Sequence, residues 1–226
     1  LLVPFRSETE ACDAVSKIFM AGLSPSAIEF MEREAIEWAT KYLNIELNLP
    51  DDIKAHLLIE LDGNNLDLLY QEAEQLYTVL EQYDVGEVLL ADSEKQKEEL
   101  WKLRRNVSNA VKYHSVYKEE DTVVPRAELP VLLKGVKEIG ERYHFKSVCY
   151  GHAGDGNLHV NIIKGDMPED AWQNELPKGI TEIFELCVKL GGTISGEHGI
   201  GLVQRPYIGI AIGEVQLNLM RGIKQL

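Results

Sequence analysis

The sequence predicts an α+β fold in which helices pack on one face of an antiparallel sheet. The first indication is a strand, helix, strand succession at residues 56–61, 66–82 and 87–91, which is half of a ferredoxin-like unit. The second is the pair Asp155-Gly156, a strong signal for a two-residue hairpin turn between strand-forming residues. Strand–helix–strand units with added hairpins indicate an antiparallel sheet that is covered by helices.

Capping residues and apolar periodicity predict the other elements. Ser7 is the N-cap of the first helix, with Glu10 three residues further on, and Gly22 ends this helix. The remaining predictions are a strand at 26–31, helices at 33–42 and 94–111, a strand at 116–124, helices at 129–143 and 168–190 with an interruption near Pro177, and a last helix from Gly213. No linker is long enough to separate two independent domains.

Composition and charge limit the classes of function. The 226 residues are 45% hydrophobic and 27% charged, which is typical of a globular domain, and the formal net charge is -14. So acidic a chain argues against nucleic acid or an anionic membrane surface as a partner. No apolar run approaches the ~20 residues of a membrane span. Three cysteines without a CxxC spacing predict free thiols in a reducing compartment, the cytoplasm.

The predicted hairpin carries the first chemical group. With a turn at Asp155-Gly156, His152 lies directly opposite His159 on one face of the two strands. Counting on by two places Asn161 on the same face. Two imidazoles at that separation can hold one metal ion, and the alternative is that they form only polar surface.

A glycine-rich stretch at residues 191–201 adds the pair Glu197-His198. Dense glycines mark tight turns or a close approach of the backbone to a ligand. Two histidines, His152 and His159, with the carboxylate of Glu197 form the ligand set of a catalytic divalent-metal site. The alternative is a hydrogen-bonded polar cluster without a metal. His198 is then left as a general base.

The two stretches together also carry a family resemblance. GHAGDGNLHVNI at 151–162, followed by GGTISGEHGIG at 191–201, resembles the signature pair of the C-terminal domain of FAD-linked oxidases. These are the glycolate oxidase, D-lactate dehydrogenase and D-2-hydroxyglutarate dehydrogenase group of the vanillyl-alcohol oxidase superfamily. The resemblance extends over nearly the whole chain, through LVPF, SAIEFMEREAI, LLIELDG, LWKLRRNVSNA and YKEEDTVVP. It implies a duplicated ferredoxin-like α+β domain over residues 1–226.

The resemblance also implies a metal centre and a reaction. His152, His159 and Glu197 match the metal ligands of relatives that use Zn²⁺ or a similar ion, and mixed imidazole and carboxylate also suit Mn²⁺ or Fe²⁺. His198 would take the hydroxyl proton of a 2-hydroxy acid while the Cα hydride passes to the flavin. The 2-oxo acid is the product.

Four further residues match the family's substrate-binding positions. Arg104 and Lys118 match cationic groups that hold the substrate carboxylate, because a guanidinium binds a carboxylate with two parallel hydrogen bonds. Ser108 lies one helical turn after Arg104, and Asn161 matches a substrate-contacting amide. Two alternatives stay open: Arg104 belongs to the solvated face of a charged helix, or Lys118 pairs with the acidic residues beside it.

We expect an excised substrate domain whose FAD is bound mainly by an N-terminal domain of the same protein. The chain opens at Leu1 without an initiator Met and closes at Leu226 within a helical pattern. Its expected partners are that FAD domain and a small 2-hydroxy acid, and a homodimer is compatible with the sequence. Two other classes stay open: a free-standing metal hydrolase with His198 as base, and a non-catalytic module that binds metal or carboxylate.

Overall fold

The computed structural model describes residues 1–226 and has six strands and nine α-helices. In chain order the elements are β1 (Leu2–Phe5), α1 (Glu8–Met20), β2 (Ala27–Glu32), α2 (Arg33–Leu43), β3 (Ala55–Glu60), α3 (Leu66–Leu80), α4 (Glu94–Arg105), α5 (Val107–His114), β4 (Tyr117–Val123), α6 (Leu129–Tyr143), β5 (Lys146–Gly151), β6 (Asn157–Ile163), α7 (Leu176–Lys189), α8 (Ile208–Ala211) and α9 (Glu214–Gln225). As predicted, Ser7 caps α1 by accepting a hydrogen bond from the Glu10 amide.

The six strands form one antiparallel sheet in the order β1-β3-β2-β5-β6-β4. In the first half, α1 joins β1 to β2 and β3 lies between them. In the second half, α6 joins β4 to β5 and β6 lies between them. The halves meet edge to edge at β2 and β5, and this repeated arrangement confirms the α+β, duplicated ferredoxin-like fold.

The fourth strand of each ferredoxin-like half is reduced to isolated bridges. The strand predicted at 87–91 is wrong, since Leu89 forms a bridge with Leu2 and Val85 another with Phe5. The amide of Gly86 donates to the Pro4 carbonyl, but Pro4 has no N–H to return a bond on that edge. In the second half, one bridge between Val123 and Thr193 stands in the equivalent place.

Helices lie in two layers of unequal size. The four helices of the repeats, α1, α3, α6 and α7, pack on one face over the larger apolar cluster, as predicted. A smaller layer of α2, α4 and α5, which lie outside the repeats, covers part of the opposite face. Because side chains alternate along a strand, Leu57 belongs to the larger cluster and Leu58 to the smaller one.

Two helices depart from their predicted bounds. The helix predicted at 94–111 is divided at Asn106, whose side-chain amide donates to the carbonyl of Lys102 and whose backbone leaves the helical conformation. The division gives α5 its own direction, and α5 packs against α2. The interruption predicted near Pro177 is present as a π-helical segment, Ala171–Glu175, after which α7 begins at Leu176 with Pro177 in its first turn.

The predicted two-residue turn at Asp155-Gly156 is wrong, and so is the pairing of His152 with His159. Tyr150 lies opposite His159, and a five-residue connection at 152–156 contains a 3₁₀ turn. Only Gly156 has a positive φ, of 77°. Arg126 holds the wider connection, since its Nε donates to a loop carbonyl. The register shift is two residues, so every side chain keeps its predicted face.

No helix of this chain is both long enough and apolar enough to cross a bilayer.

Candidate metal and substrate site

The candidate site lies on the sheet face that carries the smaller helical layer. On β6, His159 and Asn161 point to this face. Their direct partners on β4 are Asp121 and Glu119, and Tyr150 of β5 also lies opposite His159. Alternation along three neighbouring strands therefore brings polar side chains together on one surface.

Asp121 fixes the glycine-rich loop above this surface. Its Oδ2 accepts hydrogen bonds from the backbone amides of Glu197 (2.7 Å) and His198 (2.8 Å). Its Oδ1 accepts from Nδ2 of Asn157 at 2.6 Å, and the side chain is fully buried. Burial raises the pKa of Asp121, but these hydrogen bonds outweigh it, so the pKa lies below its ordinary value. The carboxylate thus holds two candidate site residues by their backbone.

Gly196 allows the loop to come this close. A Cβ at this position would lie 2.4 Å from Nδ2 of Asn157 and 2.6 Å from a methyl group of Val123. Neither distance is compatible with a side chain. Any other residue at 196 would push the loop away from Asp121.

Three ligand atoms from distant parts of the chain converge at this place. Oε1 of Glu197 lies 3.5 Å from Nε2 of His152 and 3.4 Å from Nε2 of His159. His198 stacks on His159 with ring centroids 5.0 Å apart, and its Nε2 is 3.8 Å from the same carboxylate oxygen. The structure therefore brings together four residues that the sequence predicts for the site.

The hydrogen-bond partner of Nδ1 determines which nitrogen of the His152 ring carries the proton. Nδ1 lies 2.8 Å from Oε1 of Glu29, an ionised carboxylate that can only accept, so Nδ1 donates. In the neutral ring this leaves the lone pair of Nε2 directed at Glu197. The hydrogen bond to Glu29 also raises the pKa of His152, so protons and a metal would compete for Nε2.

The outer nitrogen of His159 also faces carboxylates, in a more enclosed position, but it makes no hydrogen bond to them. Its Nδ1 lies 3.5 Å from Oε1 of Glu119 and 3.8 Å from Oδ1 of Asp121, while Nε2 faces Glu197. Only 4% of the residue is exposed, and burial lowers its pKa to about 4. The ring is therefore neutral at pH 7, and a proton on Nδ1 leaves Nε2 as a ligand atom.

When both rings are neutral with their protons on Nδ1, three acceptors face one another without a donor. The Nε2 atoms of His152 and His159 and the Glu197 carboxylate are such a set, and a divalent cation between them would satisfy all three. A second group, Glu119, His159 and His198, would use the other nitrogen of His159. A neutral imidazole offers one lone pair, so the two groups compete for it.

Arg104 lies at the site and not on a solvated helix face. It is 8% exposed at the end of α4, and its guanidinium contacts Oε2 of Glu29 through Nε (2.8 Å) and a terminal nitrogen (2.7 Å). The same guanidinium lies 5.2 Å from the ring centre of Tyr150. Burial raises the pKa of Glu29, but the hydrogen bond with His152 and the charge of Arg104 outweigh it and lower the pKa.

Ser108 and Asn161 lie beside the hydroxyl of Tyr150, next to Arg104. Burial raises the pKa of Tyr150 to about 12, and its hydroxyl donates to Oε1 of Glu119 at 3.5 Å. Asn161 is fully buried and its Oδ1 has no partner in the protein. An unpartnered acceptor at this position is suited to a ligand that donates a hydrogen bond.

The structure does not bring Lys118 to this group. Lys118 lies opposite Ile162, whose side chain points into the larger cluster, and its Nζ is 5.1 Å from the ring centre of Trp172 on that side. The neighbouring residue, Glu119, has the site-facing position. Because adjacent strand residues point to opposite faces, an offset of one position decides which of the two faces the site.

Sequence reasoning missed three site residues: Glu29, Glu119 and Asp121. The last two were detectable, because strand alternation places both on one face of β4, two residues apart. Glu29 was also detectable, because it is an acidic residue between the apolar residues of Ala27–Glu32, the segment that becomes β2. No pattern in the sequence indicated that Asp121 would hold a loop about 75 residues away, since that contact is tertiary.

The model of the FAD linked oxidases, C-terminal domain, matches residues 1–226. The chain belongs to this family. A D-lactate dehydrogenase of Anaerostipes hadrus is 31% identical over all of this chain and 49% of its own length. Glycolate oxidase subunit GlcD of Bacillus subtilis (strain 168) is 30% identical over 99% of this chain and 47% of its own length. This member of the FAD-linked oxidase family thus spans about half the length of these curated relatives.

Another relative and a solved structure extend the comparison. A D-2-hydroxyglutarate dehydrogenase of Stutzerimonas stutzeri is 30% identical over 91% of this chain and 45% of its own length. The structure of an alkyldihydroxyacetonephosphate synthase aligns with a TM-score of 0.55 at 12% identity, covering 92% of this chain and 42% of that one. The structural likeness supports the fold, and the identities to the curated relatives agree with membership of the FAD-linked oxidase family.

Proposed function

We propose that residues 1–226 form the substrate-binding domain of an FAD-dependent dehydrogenase that oxidises a 2-hydroxy acid to the 2-oxo acid. The substrates in question are of the glycolate, D-lactate or D-2-hydroxyglutarate type. The observation that carries the proposal is the convergence of two imidazole lone pairs and the Glu197 carboxylate beside His198 and Arg104. In a family of FAD-linked oxidases, that group has what alcohol oxidation requires: a cation site, a base and a carboxylate anchor.

The donor set fits a divalent cation such as Zn²⁺, held by His152, His159 and Glu197. The outer nitrogen of His152 is hydrogen-bonded to the carboxylate of Glu29, an arrangement that fixes metal-binding imidazoles, and Oε1 of Glu119 lies 3.5 Å from the outer nitrogen of His159. When bound, such an ion polarises a coordinated hydroxyl group and lowers its pKa. Glu197 is half exposed, so the site is open on the loop side to substrate.

The other residues position the substrate and move one proton. Arg104 offers its guanidinium to the substrate carboxylate, and Ser108 and Asn161 supply neutral hydrogen-bonding groups next to it. His198 accepts the hydroxyl proton through its imidazole. The remainder of the full-length protein would hold FAD, which would supply the acceptor for the hydride of the C–H bond as the carbonyl forms.

The test is anaerobic flavin bleaching of the full-length protein with a panel of D-2-hydroxy acids. Bleaching by at least one acid is the expected result, with a large loss in the variant His198→Asn and none in Glu185→Gln, an exposed carboxylate on α7. Absence of bleaching by every acid, in protein shown to bind FAD, would contradict the proposal. It would leave a module that binds a metal or a carboxylate without oxidising it.

The metal is tested separately, on the chain itself and without turnover. Zn²⁺ titrated calorimetrically into metal-free protein is expected to bind one ion per chain. His159→Gln and Glu197→Gln should weaken this binding strongly, while Glu185→Gln should leave it unchanged. Equal affinity in all four proteins would refute the assignment of the ligands.

A further inference from the structure

We propose that Glu119 restricts the substrate to 2-hydroxy acids with one carboxylate and an uncharged side chain. This inference rests on the proposed function and narrows it. Glu119 stands at the position of β4 that faces the site, while Lys118, the nearest cation in sequence, faces away. A second carboxylate on the substrate would meet a negative charge there.

The position of Glu119 follows from the strand register. It pairs with Asn161, and its Oε1 lies 3.5 Å from Nδ1 of His159 and 3.5 Å from the hydroxyl of Tyr150. Its side chain is 21% exposed, so it contacts the site and still reaches open space. Glu119 therefore borders the space next to the substrate-binding groups.

The charges around this space are strongly unequal. Four carboxylates, Glu29, Glu119, Asp121 and Glu197, surround the imidazoles, and Arg104 is the buried cation among them. Arg104 is already paired with Glu29. One substrate carboxylate can share that guanidinium, and the proposed metal ion would be engaged with the hydroxyl group, but a second carboxylate would find no further buried cationic side chain among residues 1–226 to compensate its loss of water.

One exposed lysine lies on the same side. Lys112, one turn after Ser108 on α5, is close enough to Glu119 to lower the pKa of that carboxylate, against a larger effect of burial that raises it. Because Lys112 is solvent-exposed, its attraction for a substrate carboxylate is screened. We therefore expect repulsion by the half-buried carboxylate of Glu119 to decide the selectivity.

The experiment compares substrates in the full-length, FAD-loaded protein. The measured quantity is the ratio of kcat/KM for D-lactate to that for D-2-hydroxyglutarate, which differ in a distal carboxylate. The wild type should prefer D-lactate. Glu119→Lys should shift the ratio toward D-2-hydroxyglutarate by about tenfold or more, because like-charge contacts are costly and about 1.4 kcal/mol corresponds to tenfold. Glu119→Gln should shift the ratio in the same direction by less, since it removes the negative charge without adding a positive one.

Two variants separate local from general effects. Glu185→Lys makes the same change of net charge far from the site and should leave the ratio unchanged. Lys118→Gln should also leave it unchanged, and a loss of D-2-hydroxyglutarate activity there would mean that Lys118 and not Glu119 faces the substrate. Thermal unfolding of each variant checks its fold, and Glu119→Gln, which keeps the shape of the side chain, carries the test if the lysine variant does not fold.

Failure of this inference differs from failure of the proposed function. If the protein oxidises hydroxy acids but prefers the dicarboxylate, or if neither Glu119 variant changes the ratio, the role of Glu119 is refuted and the dehydrogenase assignment stands. If no hydroxy acid reduces the flavin in the wild type, both are refuted.

Discussion

Replacing Asp121 with asparagine should loosen the loop that carries Glu197 and His198. The substitution keeps the size of the side chain but removes its charge and turns one acceptor oxygen into a donor. The Oδ2 atom of Asp121 accepts from two backbone amides, and Oδ1 accepts from Asn157. In the variant, the NH₂ group of the asparagine side chain replaces one of these oxygens and faces a hydrogen-bond donor. Backbone hydrogen bonds and the side-chain contact are therefore weakened together.

The expected loss can be worked out from these contacts. A hydrogen bond to a charged acceptor contributes about 1.5–3 kcal/mol and a neutral one about 0.5–1.5 kcal/mol, and a buried group left unsatisfied costs about 1–3 kcal/mol. Each bond that goes from a charged to a neutral acceptor loses about 1–1.5 kcal/mol, so two weakened bonds and one unsatisfied group give a loss of roughly 3–6 kcal/mol in the free energy of unfolding for Asp121→Asn. Displacement of Glu197 should also lower Zn²⁺ affinity by about 10–100-fold.

Urea denaturation of metal-free protein measures the first quantity, and competition with a chelator measures the second. Asp155→Asn is the matched control, because Asp155 is an exposed aspartate in the connection between β5 and β6. It should change both quantities little. If Asp121→Asn changes neither the unfolding free energy nor the Zn²⁺ affinity, then Asp121 does not hold the loop in solution.

Two further predictions concern stability. Arg104→Met should lower the unfolding free energy by about 3–5 kcal/mol, because it leaves Glu29 buried without its guanidinium partner. The double variant with Glu29→Gln should lose less than the sum of the two single losses. Additive losses in urea denaturation would show that the two residues are not coupled. Glu120 is only 1% exposed, and burial raises its pKa to about 7. Between pH 4.5 and 7 the folded chain therefore keeps a proton on Glu120 that the unfolded chain has lost, so the stability of the folded state falls as the pH rises. Glu120→Gln should therefore gain stability over wild type between pH 5 and pH 8, by up to about 3 kcal/mol, whereas Glu185→Gln should show no such trend; a parallel pH profile for Glu120→Gln and wild type would contradict it.

The sequence was most informative where local pattern and fold agree. Alternation of side chains put His159 and Asn161 on one face even though the turn between β5 and β6 was predicted with the wrong length. The register of β5 against β6 was wrong by two residues, and because side chains alternate with a period of two, this error does not change which face they occupy. At Lys118 an offset of one residue was enough to exchange a cation for Glu119 in the site.

The supporting carboxylates were harder to predict because they act across the chain. Glu29 belongs to the first repeat and contacts His152 of the second, 123 residues later. The sequence predicts no role for Asp121, and only the folded sheet shows that it is buried beneath the loop. Likewise, the segment after α3 has strand-forming residues, yet Pro4 leaves the edge of β1 unable to complete a ladder with it. Such contacts depend on which elements become neighbours, and sequence spacing does not encode that directly.

The two halves of the sheet meet along a narrow seam. Only Phe30 with Gly151 and Met31 with Tyr150 are paired between β2 and β5. The bond between Glu29 and His152 crosses the same seam. A slide of one half along the other would stretch that bond and rotate the His152 ring away from Glu197. The geometry of the site thus depends on the alignment of the two repeats. Mutations along the seam should change that geometry even where the mutated residue contacts no ligand atom.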